Sequence, residues 1–308
     1  MGAAIVLGWV GDRLLGDPRR WHPVAGFGRS AAALERRLWR PSRAAGALHA
    51  GSLVATTAIG TALADRFLGR HRRARLAFRG LVVWATLGGR SLERAALALA
   101  GHVEAGRLDD ARALAPTLVG RDPSQLEGHD LCRAAVESLA ENTSDAVVAP
   151  LLWAALLGPA GAAAYRAVNT LDAMVGHRSA RYRRFGWAAA RLDDLANWPA
   201  ARLSASLAIL LAPLVGGRWG RAWRAAFRDG ADHPSPNAGR VEGAFAGALD
   251  VRLGGTNRYA HGVERRPALG RGARPAVADV ARAVALARAV GLAATMLAAA
   301  WAGRWSDR

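Results

Sequence analysis

A chain of 308 residues, with 52% hydrophobic side chains and a slightly positive mean hydropathy, has the length for one large domain or two small ones and is more apolar than an average soluble enzyme. Its formal charge of +18 is carried by arginine alone, which excludes a P-loop lysine, a Schiff-base lysine and a lysine general base. The one cysteine, Cys132, excludes an intramolecular disulfide framework and a cysteine zinc site.

The arginines stand mostly between apolar runs. That is the pattern of loops flanking membrane helices, and no nucleic-acid motif accompanies the charge, so no nucleic-acid partner is expected. The N-terminus is apolar up to Asp12, with no basic leader and no clear cleavage site, so it does not read as a signal peptide. Next comes LLGDPRRWHPVAGFGR (14–29), where Asp-Pro and His-Pro force an ordered turn and leave Asp17 and His22 as candidate contacts.

Residues 44–64, AAGALHAGSLVATTAIGTALA, carry no Asp, Glu or Arg and are long enough to span a bilayer. Arginines flank both ends, so the run sets no orientation. Residues 80–89 are apolar but too short to span without snorkelling flanks. Residues 91–115 read as an amphipathic helix.

Asp122 as N-cap and Pro123 at the first position predict a helix from there to about Asp145, with Ser124 and Glu127 as an alternative capping box. Leu131, Ala135 and Leu139 share one side of it; Asp130, Glu137, Glu141 and Asp145 share another. Asp145 stands where an uncharged run begins, residues 146–165, AVVAPLLWAALLGPAGAAAY. A straight helix would carry Asp145 and the next polar cluster, Asn169 and Asp172, roughly 40 Å apart. Gly158-Pro159-Ala160-Gly161 breaks the run in its middle. A turn there makes a helical hairpin, re-entrant or lodged in a crevice, and brings the clusters side by side.

Asn169 and Asp172 lie three apart on one helix face. Asp193, Asp194 and Asn197 repeat the geometry on the next helix, which Pro199 is expected to end. With Arg178, Arg181, Arg183, Arg184 and Arg191 between them, these oxygen ligands are what Mg²⁺ and a polyphosphate require. Helix capping and interhelical hydrogen bonding are the structural alternative. Residues 203–217 and 289–303 are further apolar runs of borderline length. Between them, residues 229–275 read as loop-rich, apart from a small-residue helix that Pro-Ser-Pro-Asn (234–237) starts and that carries Glu242. Gly254-Gly255-Thr256-Asn257-Arg258 follows and has the small-residue backbone to wrap a phosphate. No strand-period alternation persists. The fold class is all-α: a multi-pass membrane protein with amphipathic helices and the hairpin, in one domain over 1–308.

LGDPRRWHPVAGFGR, AVESLAENTSDAVVAPL, YRAVNTLDAMVGHR, residues 182–203 and DHPSPNAGRVEGAFAGALDVRLGGTNRY cover most of residues 8–270. In this order they resemble the adenosylcobinamide-phosphate synthases, integral-membrane amide-forming enzymes of cobalamin biosynthesis. Arg240-Val241 departs from the family pattern, where an aromatic and a proline are expected, and the N-terminal apolar segment is short. The resemblance implies ATP- and Mg²⁺-dependent joining of adenosylcobyric acid, a corrinoid, to aminopropanol or its phosphate. It also implies a cell-membrane location, in contact with the lipid bilayer, with the active site facing the cytoplasm. Glu141, Asp145, Asp172 and Asp194 are the catalytic candidates, and Asp172, Asp193 and Asp194 the metal candidates. Asp17, His22, Asn142, Asn169, Arg191, Asn197, His233, Asn237, Glu242, Asn257 and Arg258 are the candidates for substrate binding. Two other classes use similar residues: a membrane prenyltransferase holding Mg²⁺-diphosphate between two Asp/Asn clusters, and a transporter or assembly factor using intramembrane acids as helix glue.

Overall fold

The computed structural model describes residues 1–18, 22–177, 179–259 and 262–304, without the side chains of Arg258 and Tyr259. In chain order the helices are α1 (Gly2–Leu15), α2 (Pro23–Leu38), α3 (Arg43–Phe67), α4 (Arg72–Thr86), α5 (Gly89–Glu104), α6 (Leu108–Leu114) and α7 (Gly128–Thr143). A π-helical turn, Ser144–Val148, joins α7 to α8 (Ala149–Val175). Then come α9 (Tyr182–Phe185), α10 (Trp187–Leu211), α11 (Trp219–Phe227), α12 (Ala238–Leu249), strands β1 (Leu253–Tyr259) and β2 (Gly262–Leu269), and α13 (Val277–Arg304). The chain forms two compact units: one of Met1–Arg90, Asp145–Pro199 and Ala294–Arg308, the other of Ser91–Ser144 and Ala200–Ala293.

Four stretches are long and apolar enough to cross a membrane: Arg43–Arg70, Gly128–Val175, Trp187–Val215 and Val277–Arg304. The apolar run 44–64 lies within α3, whose Leu48, Ile59 and Leu63 are exposed. In water such a face would be an unpartnered apolar surface. Residues 80–89, by contrast, are not one element. α4 ends at Thr86, and its apolar side packs on α1 at Gly8, where an added Cβ would lie 2.5 Å from Val83 Cγ1. The run lines a helix–helix seam.

In the first unit the core gathers Ala31, Ala50, Leu171, Val175, Phe185 and Ala189 from α2, α3, α8, α9 and α10. The predicted hairpin is present. Gly158 departs from helical geometry at φ 70° and ψ −161°, a conformation natural to glycine, and Pro159 restarts the helix. Tyr165 Oη then donates to the Asp145 carbonyl at 3.1 Å, although 20 residues of straight helix would separate the two by about 30 Å.

Three boundaries differ from the sequence reading. Asp122 caps only a turn, accepting from the Ser124 N–H at 2.9 Å, and α7 starts later, at Gly128. Residues 91–115 divide at Gly106, φ 71°, into α5 and α6. Pro199 does not end α10, which continues to Leu211. Pro removes one helical donor, the one that would meet the Leu195 carbonyl, and the helix continues through it; the Trp153 indole N–H donates to the next carbonyl, that of Ala196, at 3.1 Å.

In the second unit α12 is buried on all sides from Val241 to Leu249. It lies directly against α11: a Cβ on Gly247 would sit 2.4 Å from the Arg221 carbonyl oxygen and 2.5 Å from Ala222 Cα. Gly247→Ala is therefore expected to cost about 1–3 kcal/mol, read as a lowered melting temperature in detergent. An unchanged melting temperature would show that the two helices can separate without loss.

β1 and β2 form an antiparallel hairpin, with Asn257 opposite Glu264 and an irregularity between Leu253 and Gly255. The all-α class stands, and the hairpin corrects only the loop-rich reading of residues 229–275. Most of β2 is exposed, so no buried face imposed an alternating pattern that the sequence could display.

Candidate functional site

Two polar clusters form, one in each unit. In the first, Asn169 and Asp172 on α8 meet Asp193 and Asn197 on α10. Asn169 Nδ2 donates to Asp193 Oδ1 at 3.3 Å, and the Asp172 and Asp193 carboxylates are close enough to repel one another. The buried Tyr165 hydroxyl donates to Asn197 Oδ1 at 2.7 Å and holds Asp145 by its backbone carbonyl. Arg166, absent from the sequence-derived set, donates to Asn169 Oδ1 at 3.3 Å. A Cβ placed on Gly88 would meet both Arg166 and Asp17 at 3.9 Å, so these two side chains face one point. Asp17 Oδ1 lies 3.6 Å from His22 Nε2, while His22 Nδ1 accepts from the Val24 N–H and caps α2. A mainly apolar cavity of about 260 Å³, walled by Phe27, Thr57, Val82 and Thr170, opens beside Arg166.

Asp194 lies beside this centre, its charge reaching the Asp193 carboxylate, and it also pairs with Arg191 at 3.9 Å. Among the described residues no group of three or more His, Cys, Asp or Glu is arranged to hold a metal. Asp172 and Asp193, with Asn169 and Asp194 beside them, offer the one or two carboxylates by which Mg²⁺ is commonly held, its other positions filled by water and phosphate oxygens. Arg178 lies outside the described residues.

In the second unit Glu137, one of the acids on the predicted polar side of α7, is buried and doubly paired. Arg121 reaches its Oε2 at 2.8 Å and Arg133 its Oε1 at 3.3 Å. The Gly254 N–H donates to Glu137 Oε1 at 2.9 Å, and Arg133 donates to the Gly254 carbonyl at 2.7 Å. Asn257 Oδ1 accepts from both arginines. The Gly-Gly segment is therefore pinned to α7, and a polar cavity of about 490 Å³ opens over it, lined by His129, Arg133, Arg252, Gly255 and Arg274. Arg258 lies on β1, its side chain outside the described residues. Sequence reasoning missed Arg121 and Arg133. The Arg133–Glu137 spacing of four was a legible signal; nothing local announced Arg121.

Glu242, on α12, is only 1% exposed, and neither of its carboxyl oxygens has a hydrogen-bond partner among the described residues. Burial, reinforced by the Glu137 and Glu141 charges, pushes its carboxyl well above the ordinary glutamate range. His233 is buried too. Its Nδ1 accepts from the Ser235 N–H at 3.1 Å, its Nε2 is unpartnered, and burial lowers its pKa. Asn237 takes Arg202 on its Oδ1 at 2.9 Å, beside the Ser235 hydroxyl that caps α12. Glu141 is exposed, and Asn142 bonds back to its own helix at the Ser138 carbonyl.

The raised value at Glu242 has a pH consequence. The folded state holds this proton more tightly than the unfolded chain. The stability it contributes is complete below about pH 4.3 and is lost as pH rises through the raised folded-state value. Glu242→Gln should remove that part of the alkaline loss, so its melting temperature should fall less than the parent's on raising the pH. Parallel pH profiles for the two proteins would place the carboxyl in contact with a partner or water.

A helical, multi-pass membrane protein with two acid–arginine clusters built from separated motifs is the class this architecture defines. The model of the CobD/CbiB protein family matches residues 5–287, and the chain belongs to that family. It is 53% identical over 294 residues to the cobalamin biosynthesis protein CobD of Mycobacterium tuberculosis, covering 96% of this chain and 93% of that one. Proteins of the same name from Geobacter metallireducens and Rhodobacter capsulatus are 43% identical (89% of this chain, 88% of that one) and 41% identical (99% and 96%). No solved structure matches.

Proposed function

We propose that this chain acts in cobalamin biosynthesis as a membrane-embedded, ATP- and Mg²⁺-dependent ligase that joins the propionate of adenosylcobyric acid to the amine of aminopropanol or its phosphate. The observation that carries this reading is where the motif residues go. Residues 24 and 32 apart meet in the first cluster and stretches more than 100 residues apart meet in the second, each cluster combining carboxylates with arginine. Carboxylates do not condense with amines at neutral pH. The route consistent with these groups moves the γ-phosphoryl of ATP onto the propionate, releasing ADP. The amine then attacks the acyl carbon, phosphate leaves, and the ammonium proton passes to a base.

Asp172, Asp193 and Asn169 are the residues to hold Mg²⁺, which when bound neutralises phosphate charge. Arg166 beside them suits a phosphoryl oxygen. The Gly255, Arg252 and Arg274 cavity is a second anion-receptive surface. Glu242 has unused hydrogen-bonding capacity suited to accept from an amine or take its proton, and His233, whose Nδ1 accepts from Ser235, offers an Nε2–H donor.

The test is direct. Detergent-purified protein is incubated with adenosylcobyric acid, ATP, Mg²⁺ and each amine, and the corrinoid is read by mass spectrometry. The reading requires an ATP-dependent product of the mass of the amide and equimolar ADP. Unchanged adenosylcobyric acid with both amines would refute it.

A further inference from the structure

α11, WGRAWRAAF, is arranged the reverse of a helix built for a water-facing surface. Its inward side is Ala222, Ala225 and Ala226, seated on α12, and its large side chains point out. Trp219 and Trp223 are 60% and 50% exposed, and the Trp223 and Phe227 rings lie 5.7 Å apart. At 100° per residue the helix has three sectors: alanines toward α12, then Trp219, Trp223 and Phe227, then Arg224 and Arg221. Leu210 and Leu214, just before it, are also exposed, and the Trp219 indole donates to the Leu210 carbonyl at 3.1 Å. α11 thus starts where the apolar stretch ending at Val215 leaves off.

Beside the arginine sector is a polar cavity of about 350 Å³ lined by Arg221, Arg224 and Arg271 with Asp229 and Asp250. Both carboxylates are engaged: Asp250 pairs with Arg221, and Asp229 accepts from the Gly270 N–H at 3.2 Å. Three arginines against two carboxylates leave the cavity one excess positive charge, with Arg224 and Arg271 facing it.

We propose that α11 lies in the membrane interface and that this arginine cavity receives the phosphate headgroup of an anionic phospholipid. The tryptophans occupy the headgroup level, where an apolar ring with a polar edge is best solvated, and the arginines meet phosphate oxygens. The inference rests on the membrane reading above.

It is tested in nanodiscs, in a Cys132→Ala background, with an environment-sensitive dye on Gly220→Cys, where a Cβ meets no neighbouring atom within 4 Å. Ile59→Cys on exposed α3 reports bilayer insertion, and Asp109→Cys, 97% exposed, reports water. A helix buried about 5–10 Å into the interface should show iodide quenching at position 220 at least about threefold weaker than at 109, with quenching by lipid bromine near the headgroups. The melting temperature should also be higher in phosphatidylglycerol than in phosphatidylcholine discs, and Arg224→Gln/Arg271→Gln should abolish the difference. Iodide quenching at 220 equal to that at 109, or no effect of lipid charge on the parent, overturns the proposal while a lipid-buried position 59 leaves the membrane reading standing. A water-exposed position 59 overturns both.

Discussion

Asp193→Asn is expected to lower amide formation by at least about 10²-fold with little change in melting temperature. Asparagine retains the oxygen that accepts from Asn169 Nδ2, so the α8–α10 contact survives while the charge is lost. Asp172→Asn should behave alike, because the two carboxylates share one site. Asp194→Asn should cost less than either, since its side chain is partly exposed and acts on the site through its charge on Asp193. Turnover and melting curves, measured across a Mg²⁺ titration, separate the outcomes. A ligand role weakens the Mg²⁺ dependence. A structural role instead lowers the melting temperature and leaves the remaining folded protein active. Normal turnover in both Asp172 and Asp193 variants would remove this pair from the chemistry.

Glu137→Ala should be the most destabilising single change, at about 3–5 kcal/mol, because it strands Arg121 and Arg133 as buried charges and frees the Gly254 N–H. In a protein of this size that is roughly a 5–8 °C fall in melting temperature. Exchange of the β1 amides with deuterium should rise at the same time, since Arg133 and Asn257 hold that strand to α7. A fall of under about 2 °C would mean that water or another group already compensates the arginines.

The two variants also separate what local sequence carries from what it does not. α3 was legible because an uncharged run of that length has few other fates. The Gly158 turn was legible because a Gly-Pro pair cannot sit quietly inside a helix. Asn169, Asp172, Asp193 and Asn197 were found because three- and four-residue spacings put them on shared faces. Each of these signals lies within a few turns of chain. Pro199 misled for the same reason: a long apolar helix packed on its neighbours keeps a proline that a local rule reads as an end.

Tertiary structure alone decided the rest. Residue spacing allowed Glu137 a solvated acidic face; burial against Arg121 and Gly254, 16 and 117 residues distant, made it the hub of the second unit. The β1–β2 hairpin left no period to read because most of β2 buries nothing. The outward turn of Trp219 and Trp223 depended on Gly243 and Gly247 of α12 accepting the alanine side of α11. Periodicity specifies which residues share a face, whereas the partner that covers a face is chosen by long-range packing, which no local pattern encodes.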